Sequence, residues 1–341
     1  MIKSKMKWLI GGLTLIVFLA GGLFYFIATA PTDESIRQLQ ADADKLRRQG
    51  KYDRAEEYYR KSIKQSDRKY GENNIAAASA YTGLGALFTQ KKDFAKAADN
   101  LLLAADIYQH SAGNAIYPEK LFSLKLSAAL SLEKIRDYKK ADSIYDFVEK
   151  HLDELPPELQ FKYYLYRGQL YYYKDHDYKK SLPLLEKAYK LDCFKSTEKK
   201  MELYELLGTS YGYIEHDRKS IFFLEKLIKL AEKDNINTSA MLAFYDHCLG
   251  RSLIGVGEFK KAEEKLLKSI SLIKTCPDQD NPYPSLLFHN YLYLAHIAIA
   301  TKNKTKCSKY WKHVEILKKQ DPSLNLKTYI LVKENKVKNK M

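Results

Sequence analysis

The residues able to do chemistry in this chain are few and badly spaced for it. His289 and His296 stand seven positions apart in one apolar stretch. On a helix that is two turns, or ~10.5 Å, too far for two imidazoles to share a zinc ion at bonds of ~2 Å. Cys193, Cys248, Cys276 and Cys307 show no C-x-x-C spacing. In an oxidising compartment a pair among Cys248, Cys276 and Cys307 is available to bridge, and spacing alone leaves the choice open. Asn237 and Asn303 begin N-x-T/S patterns, which carry meaning only on a eukaryotic secretory route. There is no glycine-rich phosphate loop and no His-Glu-x-x-His pair. The expectation is a protein without catalysis, metal, cofactor or small-molecule substrate.

The chemistry that remains is recognition. Residues 164–178 read YLYRGQLYYYKDHDY, in a chain with 27 tyrosines. Tyr163, Tyr166, Leu170, Tyr173 and Lys174 recur at i, i+3, i+7, i+10 and i+11, one stripe of a helix. Similar stripes follow at Glu202, Glu205, Thr209, Gly212 and Tyr213, and at Phe244, His247, Arg251, Ile254 and Gly255. Tyr, Phe and Arg are the side chains that carry interface energy. Tyr172 and Tyr178 are expected to be core, with Tyr164 and Tyr171 flanking it against the preceding unit. The competing reading of the stripes is packing against a neighbouring helix.

What positions these residues is a repeat. The segments at 40–63, 80–105, 127–150, 166–191, 205–230, 248–273 and 293–317 share a spacing. Each has a small residue, a polar turn ending in an aromatic, a second small residue and then a large one. The aromatics are Tyr52, Phe94, Tyr138, Tyr178 and Phe259, with Asp217 and Lys304 in their place in the fifth and seventh units. The small residues after them are Ala55, Ala97, Ala141, Ser181, Ser220, Ala262 and Cys307. The large ones are Tyr59, Leu101, Tyr145, Leu185, Leu224, Leu266 and Trp311. Gly85, Ala129, Gly208, Gly250 and Ala295 should let a second helix approach closely. Successive units are offset by roughly 39–45 residues, a period that means a solenoid. No unit buries its stripe alone, so neighbours must stack.

These residues resemble the tetratricopeptide repeat, a pair of antiparallel helices, and RKYGENNIAAASAYTGLGALFTQKKDFAKA looks like the 42-residue variety of kinesin light chains. The resemblance implies an all-α, right-handed superhelical solenoid of about seven helix pairs over residues 36–317, with units starting near 36, 78, 122, 162, 201, 243 and 288. In such a stack the stripe of each first helix lines the concave groove. That gives a central protein-binding groove of Tyr163, Tyr166, Leu170, Tyr173, Glu202, Glu205, Tyr213, Phe244, His247 and Arg251. The first unit offers the polar Arg37, Gln40, Asp44, Arg47 and Arg48, and the second the bland Ser79, Thr82, Ala86, Thr89 and Gln90. Some relatives grip a chaperone C-terminal carboxylate through Lys and Asn. Here Gln40 and Asp44 stand at those places, and Asp44 would repel the ligand. Residues 318–341 are expected to form a capping helix and basic tail, starting at Asp321 and Pro322 with Leu326, Tyr329, Ile330 and Val337 on one face.

Composition fits that reading. The 341 residues include nine prolines and fifteen glycines, few enough for long helices joined by short turns. The net charge of +15 comes mainly from lysine, since ten of the 57 basic residues are arginine. Arginine is the usual reader of phosphates and guanines, so nucleic acid is not the expected partner. The first thirty residues differ. Three lysines in MIKSKMK precede an uncharged run, residues 8–30, long enough to cross a hydrocarbon layer of ~30 Å. Trp8, Phe24, Tyr25 and Phe26 sit toward its ends, where interfaces favour them. The lysines before it and Asp33 and Glu34 after it keep residues 1–7 in the cytoplasm and put the solenoid outside. A cleaved signal peptide is the rival. The length of the run and Pro31 directly after Ala30 favour a retained anchor.

The expected protein is therefore a membrane-tethered scaffold that binds a protein or peptide outside the cytoplasm. It would serve complex assembly or quality control, in a bacterial periplasm or facing a mitochondrial intermembrane space. A constitutive subunit of a larger membrane complex, and an accessory that presents substrates to a membrane protease or cell-envelope enzyme, are the alternatives.

Overall fold

The computed structural model describes residues 31–110, 118–193, 196–234, 238–275 and 284–324. Residues 8–30, Cys276 and residues 325–341 lie outside them, and with these the expected anchor and most of the expected capping helix. Among the described residues no helix is long and apolar enough to cross a membrane.

The described residues form fourteen α-helices and no strand. They are α1 (Asp33–Arg48), α2 (Tyr52–Tyr70), α3 (Ile75–Gln90), α4 (Phe94–His110), α5 (Pro118–Lys134), α6 (Tyr138–Glu149), α7 (Pro157–Lys174), α8 (Tyr178–Leu191), α9 (Thr197–Tyr213), α10 (Asp217–Asp234), α11 (Ser239–Gly255), α12 (Phe259–Thr275), α13 (Pro284–Ala300) and α14 (Lys304–Gln320). A 3-10 turn, Leu152–Glu154, lies between α6 and α7. The chain divides into two compact units, Met1–Leu159 and Gln160–Met341.

The repeated residues explain the helix pairs. In the first unit Ala55, Ala97 and Ala141 are buried, as are Tyr59, Leu101 and Tyr145. In the second, Ser181, Ser220, Ala262, Leu185, Leu224, Leu266 and Trp311 are buried, while Cys307 is half-buried. Glycine on four of the first helices, at 85, 168, 208 and 250, seats the large residue of its partner. A Cβ at Gly85 would lie 2.6 Å from Leu101 Cγ, at Gly208 2.8 Å from Leu224 Cγ, and at Gly250 2.7 Å from Leu266 Cγ. Where serine replaces the small alanine its hydroxyl is used: Ser181 donates to the Gly168 carbonyl at 2.8 Å and Ser220 to that of Gly208 at 2.7 Å.

The turn inside each pair follows one design. The first helix closes with paired backbone bonds, such as Lys92 N–H to Thr89 O and Asp93 N–H to Phe88 O. This leaves one residue in the left-handed region. That residue is Gly50, Lys92, Arg136, His176, Glu215, Gly257 and Lys302 in turn. In four of the turns the residue before the next helix then caps it, Asp93, Asp137, Asp177 and Asn303 accepting from Lys96, Lys140, Lys180 and Lys306 N–H.

Candidate functional site

In the second unit the first helices of successive pairs touch: α9 meets α11, and α11 meets α13. That contact consumes most of the face assigned to the groove. Tyr163 is 1% exposed, Tyr166 7% and Leu170 0%, so these three are packing residues and not groove lining. Glu202 accepts from Gln169 Nε2 and pairs with Lys199 Nζ at 2.6 Å, within α7 and α9. Glu205 accepts from the Tyr245 hydroxyl at 3.0 Å, joining α9 to α11. Burial holds its carboxyl above the usual range. His247 Nδ1 donates to Asn290 Oδ1 at 2.8 Å, joining α11 to α13. Asn290 Nδ2 donates in turn to Ser269 Oγ at 2.8 Å, and Ser269 to the Ala243 carbonyl at 2.6 Å. Burial lowers the His247 imidazole to about 4, so it is neutral. Phe244 is half-buried beside Tyr245, their ring centroids 6.2 Å apart. A stripe at i, i+3 and i+7 faces the next first helix when such helices lie side by side. That is why these positions are filled by neighbours.

What stays open lies at the helix ends. Tyr173 is 50% exposed and Tyr213 48%. Between them runs a ladder of rings. Tyr173 meets Tyr172 edge-on at 4.9 Å, and Tyr172 meets Tyr178 edge-on at 5.3 Å. Tyr178 stacks face to face on Tyr213 at 4.5 Å and 10°. The Arg251 guanidinium also lies over the Tyr213 ring, 4.7 Å from its centroid. Tyr172 and Tyr178, expected as core, are half-buried members of this ladder. Burial pushes the Tyr178 phenol up to about 12, Tyr213 adding to it, and raises that of Tyr172 as well. Both stay protonated and able to donate hydrogen bonds.

Two glycines lie close to Arg251 and Asp217 at this end of the helices. A Cβ at Gly212 would lie 2.4 Å from Arg251 Nη2, and one at Gly255 1.9 Å from an Asp217 carboxylate oxygen. The sequence stripe contained Gly212, Tyr213, Arg251 and Gly255 but hid this use of them. Tyr164 and Tyr171 take Lys187 and Lys180 of α8 over their rings, at 5.2 and 5.7 Å.

In the first unit Gln40 donates to Ser62 Oγ at 3.0 Å and to the Ala76 carbonyl at 2.9 Å. Asp44 accepts from the Tyr59 hydroxyl at 2.6 Å and pairs with Arg47 at 3.3 Å. Both are committed to packing. Cys193, Cys248 and Cys307 are free thiols. Among the described residues no group of three or more His, Cys, Asp or Glu side chains is placed to hold a metal ion.

Comparison with known proteins agrees with the fold. Residues 43–110, from α1 through α4, match the tetratricopeptide repeat family. No curated protein sequence matches the chain. Among solved structures it is similar to PilF of Pseudomonas aeruginosa, at 16% identity and a TM-score of 0.50, covering 75% of this chain and 97% of that one. The C-terminal part of a tetratricopeptide repeat-containing protein from Cytophaga hutchinsonii is similar at 18% identity and 0.50, covering 85% and 97%. A Pyrococcus horikoshii signal-transduction ATPase with a tetratricopeptide repeat sensor is similar at 14% identity and 0.53, covering 92% of this chain and 53% of that one. Residues 43–110 are thus tetratricopeptide repeat by sequence, and the fold of the chain is that of such helical repeats.

Proposed function

We propose that this protein is a non-catalytic scaffold that holds a protein or peptide partner against the helix ends of its second unit. The ladder of Tyr173, Tyr172, Tyr178, Tyr213 and Arg251 is the observation that carries the reading. Half-exposed tyrosines fixed by stacking offer a partner large contact area at low entropic cost. The 23 uncharged residues at 8–30 support a tether, with the repeats outside the cytoplasm. A periplasmic setting, or a mitochondrial intermembrane space, follows from that orientation.

The test is native affinity purification in mild detergent, wild type against Tyr173→Ala/Tyr213→Ala. Partner recovery should fall at least about tenfold, which corresponds to ~1.4 kcal/mol of binding. The melting temperature should hold, because exposed substitutions usually cost within about 0.5 kcal/mol. Tyr163→Ala is the contrasting change, expected to cost roughly 3–5 kcal/mol of folding. Undiminished recovery with the double variant would refute the site.

Phe222 on α10 and Leu267 on α12 are exposed on second helices. They favour one other reading, a constitutive subunit of a larger complex that uses that face. Stoichiometric co-purification unaffected by the tyrosine changes, but lost in Phe222→Ser/Leu267→Ser, would select it.

A further inference from the structure

α14 is the last described helix of the second unit, and its two sides differ sharply. Tyr310, Trp311 and Val314 are buried and set its inner side. Opposite them Lys309, Lys312, Ile316 and Lys319 follow at i, i+3, i+7 and i+10, one outward stripe. All four are exposed, Ile316 at 43%. Among the described residues no acid forms an ion pair with the three lysines. Glu315, the sole acidic residue of α14, accepts from Trp311 Nε1 at 2.7 Å. Lys306, off the stripe, already pairs with Glu263 at 2.7 Å. Lys302 and Lys304 extend the positive charge at the helix start. The His313 imidazole is held below its ordinary range by burial, and then by Lys274, Lys309 and Lys312.

We propose that this face of α14 docks on an anionic lipid surface, with its lysines among the headgroups and Ile316 at the interface. Three arguments select lipid. Each lysine is a point charge without the planar fork of arginine, and α14 contains no arginine. It therefore suits a fluid anionic surface better than the directed phosphates of a nucleic acid. Clustered lysines are attracted to an anionic bilayer by about 1 kcal/mol each near the surface, and the exposed Ile316 among them adds an apolar side chain for the interface. The chain's own continuation is a poor occupant, since Lys327, Lys333, Lys336, Lys338 and Lys340 face only Glu334 there in charge count. The inference rests on the tethered reading for one thing, nearness. Such attraction fades within a Debye length, ~10 Å at 0.1 M salt, and a tether supplies a bilayer at high local concentration for α14 to meet.

The experiment uses the full chain in nanodiscs of phosphatidylcholine, alone or mixed equally with phosphatidylglycerol. Amine acetylation read by mass spectrometry reports each lysine. Labelling of Lys309, Lys312 and Lys319 should slow roughly tenfold in the anionic discs and recover in high salt, as a multi-lysine contact requires. Lys260 and Lys261 on α12 should not change. In Lys309→Gln/Lys312→Gln/Ile316→Gln, Lys319 should label equally in both lipids. Equal labelling of the wild type in both lipids would overturn the proposal. So would equal protection in neutral discs, which means the protein itself covers the stripe, or protection by an added oligonucleotide but not by lipid. Flotation separates this from failure of the tether. Full chain that floats with phosphatidylcholine vesicles alone has its anchor. If it does not, salt-sensitive flotation with phosphatidylglycerol vesicles supports the stripe by itself, and no flotation refutes it.

Discussion

A single missing Cβ decides how closely two helices of a pair approach. Leu224 fills the space that an alanine at 208 would need, its Cγ 2.8 Å from the ideal Cβ. Gly208→Ala should therefore cost about 1–3 kcal/mol by overpacking, despite alanine's better helix propensity. Urea unfolding measures it, and an unshifted midpoint would mean that Leu224 yields freely. His247 makes a pH prediction. Its imidazole titrates near 6.5 unfolded and about 4 folded. The unfolded chain thus binds the extra proton between those values, and stability falls as pH drops from about 6.5 toward 4. The loss approaches about 3 kcal/mol at one proton and 2.5 pKa units. Glu205 and Asp246, whose carboxyls burial raises, act in the opposite direction. The measure is therefore the difference between wild type and His247→Gln at pH 7 and pH 4.5. A constant difference would exclude His247 as the source. Repeat spacing showed Gly208 and Leu224 to be partners. Nothing in the sequence around His247 announced Asn290, 43 positions away, because that bond exists only once α11 and α13 lie side by side.

The turn within each pair is the element that repeats most faithfully. Its left-handed residue is glycine at 50 and 257 but Lys92, Arg136, His176, Glu215 and Lys302 elsewhere. A side chain there costs of order 1 kcal/mol, which glycine avoids. Lys92→Gly and Lys302→Gly should each stabilise the protein by up to about 1 kcal/mol, against the usual penalty for introducing glycine. Thermal unfolding of the two variants tests this, and lower melting temperatures would contradict it. The sequence signalled polar turns ending in an aromatic. It did not show the left-handed residue, because glycine, lysine, arginine, histidine and glutamate all occupy that position. The conformation comes from closure of the preceding helix and not from residue type.

At the scale of the molecule the chain forms two compact units, parted at the first turn of α7. A continuous spacing of repeats gave no sign of that division, since the repeats run through it. The N-terminal span is likewise a whole-molecule question. The proposed tether requires the mature protein to keep its N-terminal span, so mass measurement from native membranes should find a chain that retains residues 8–30. A mass matching a start at Pro31 would remove the anchor. A membrane-impermeant thiol label should reach single cysteines introduced past residue 31 in intact spheroplasts. Labelling only after lysis would reverse the orientation.

Helix pairing, the small residues that permit it and the large residues seated on them were all determined by the sequence. They depend on contacts within one repeat, and a period carries local contacts faithfully. Which face remained open was decided by tertiary structure alone. Tyr163, Tyr166 and Tyr173 share one helical stripe, yet two are buried and one is half exposed. The difference arises only once helices from distant parts of the chain pack together, since Lys199 of α9 lies over the Tyr166 ring while Tyr173, at the end of α7, stays half in water.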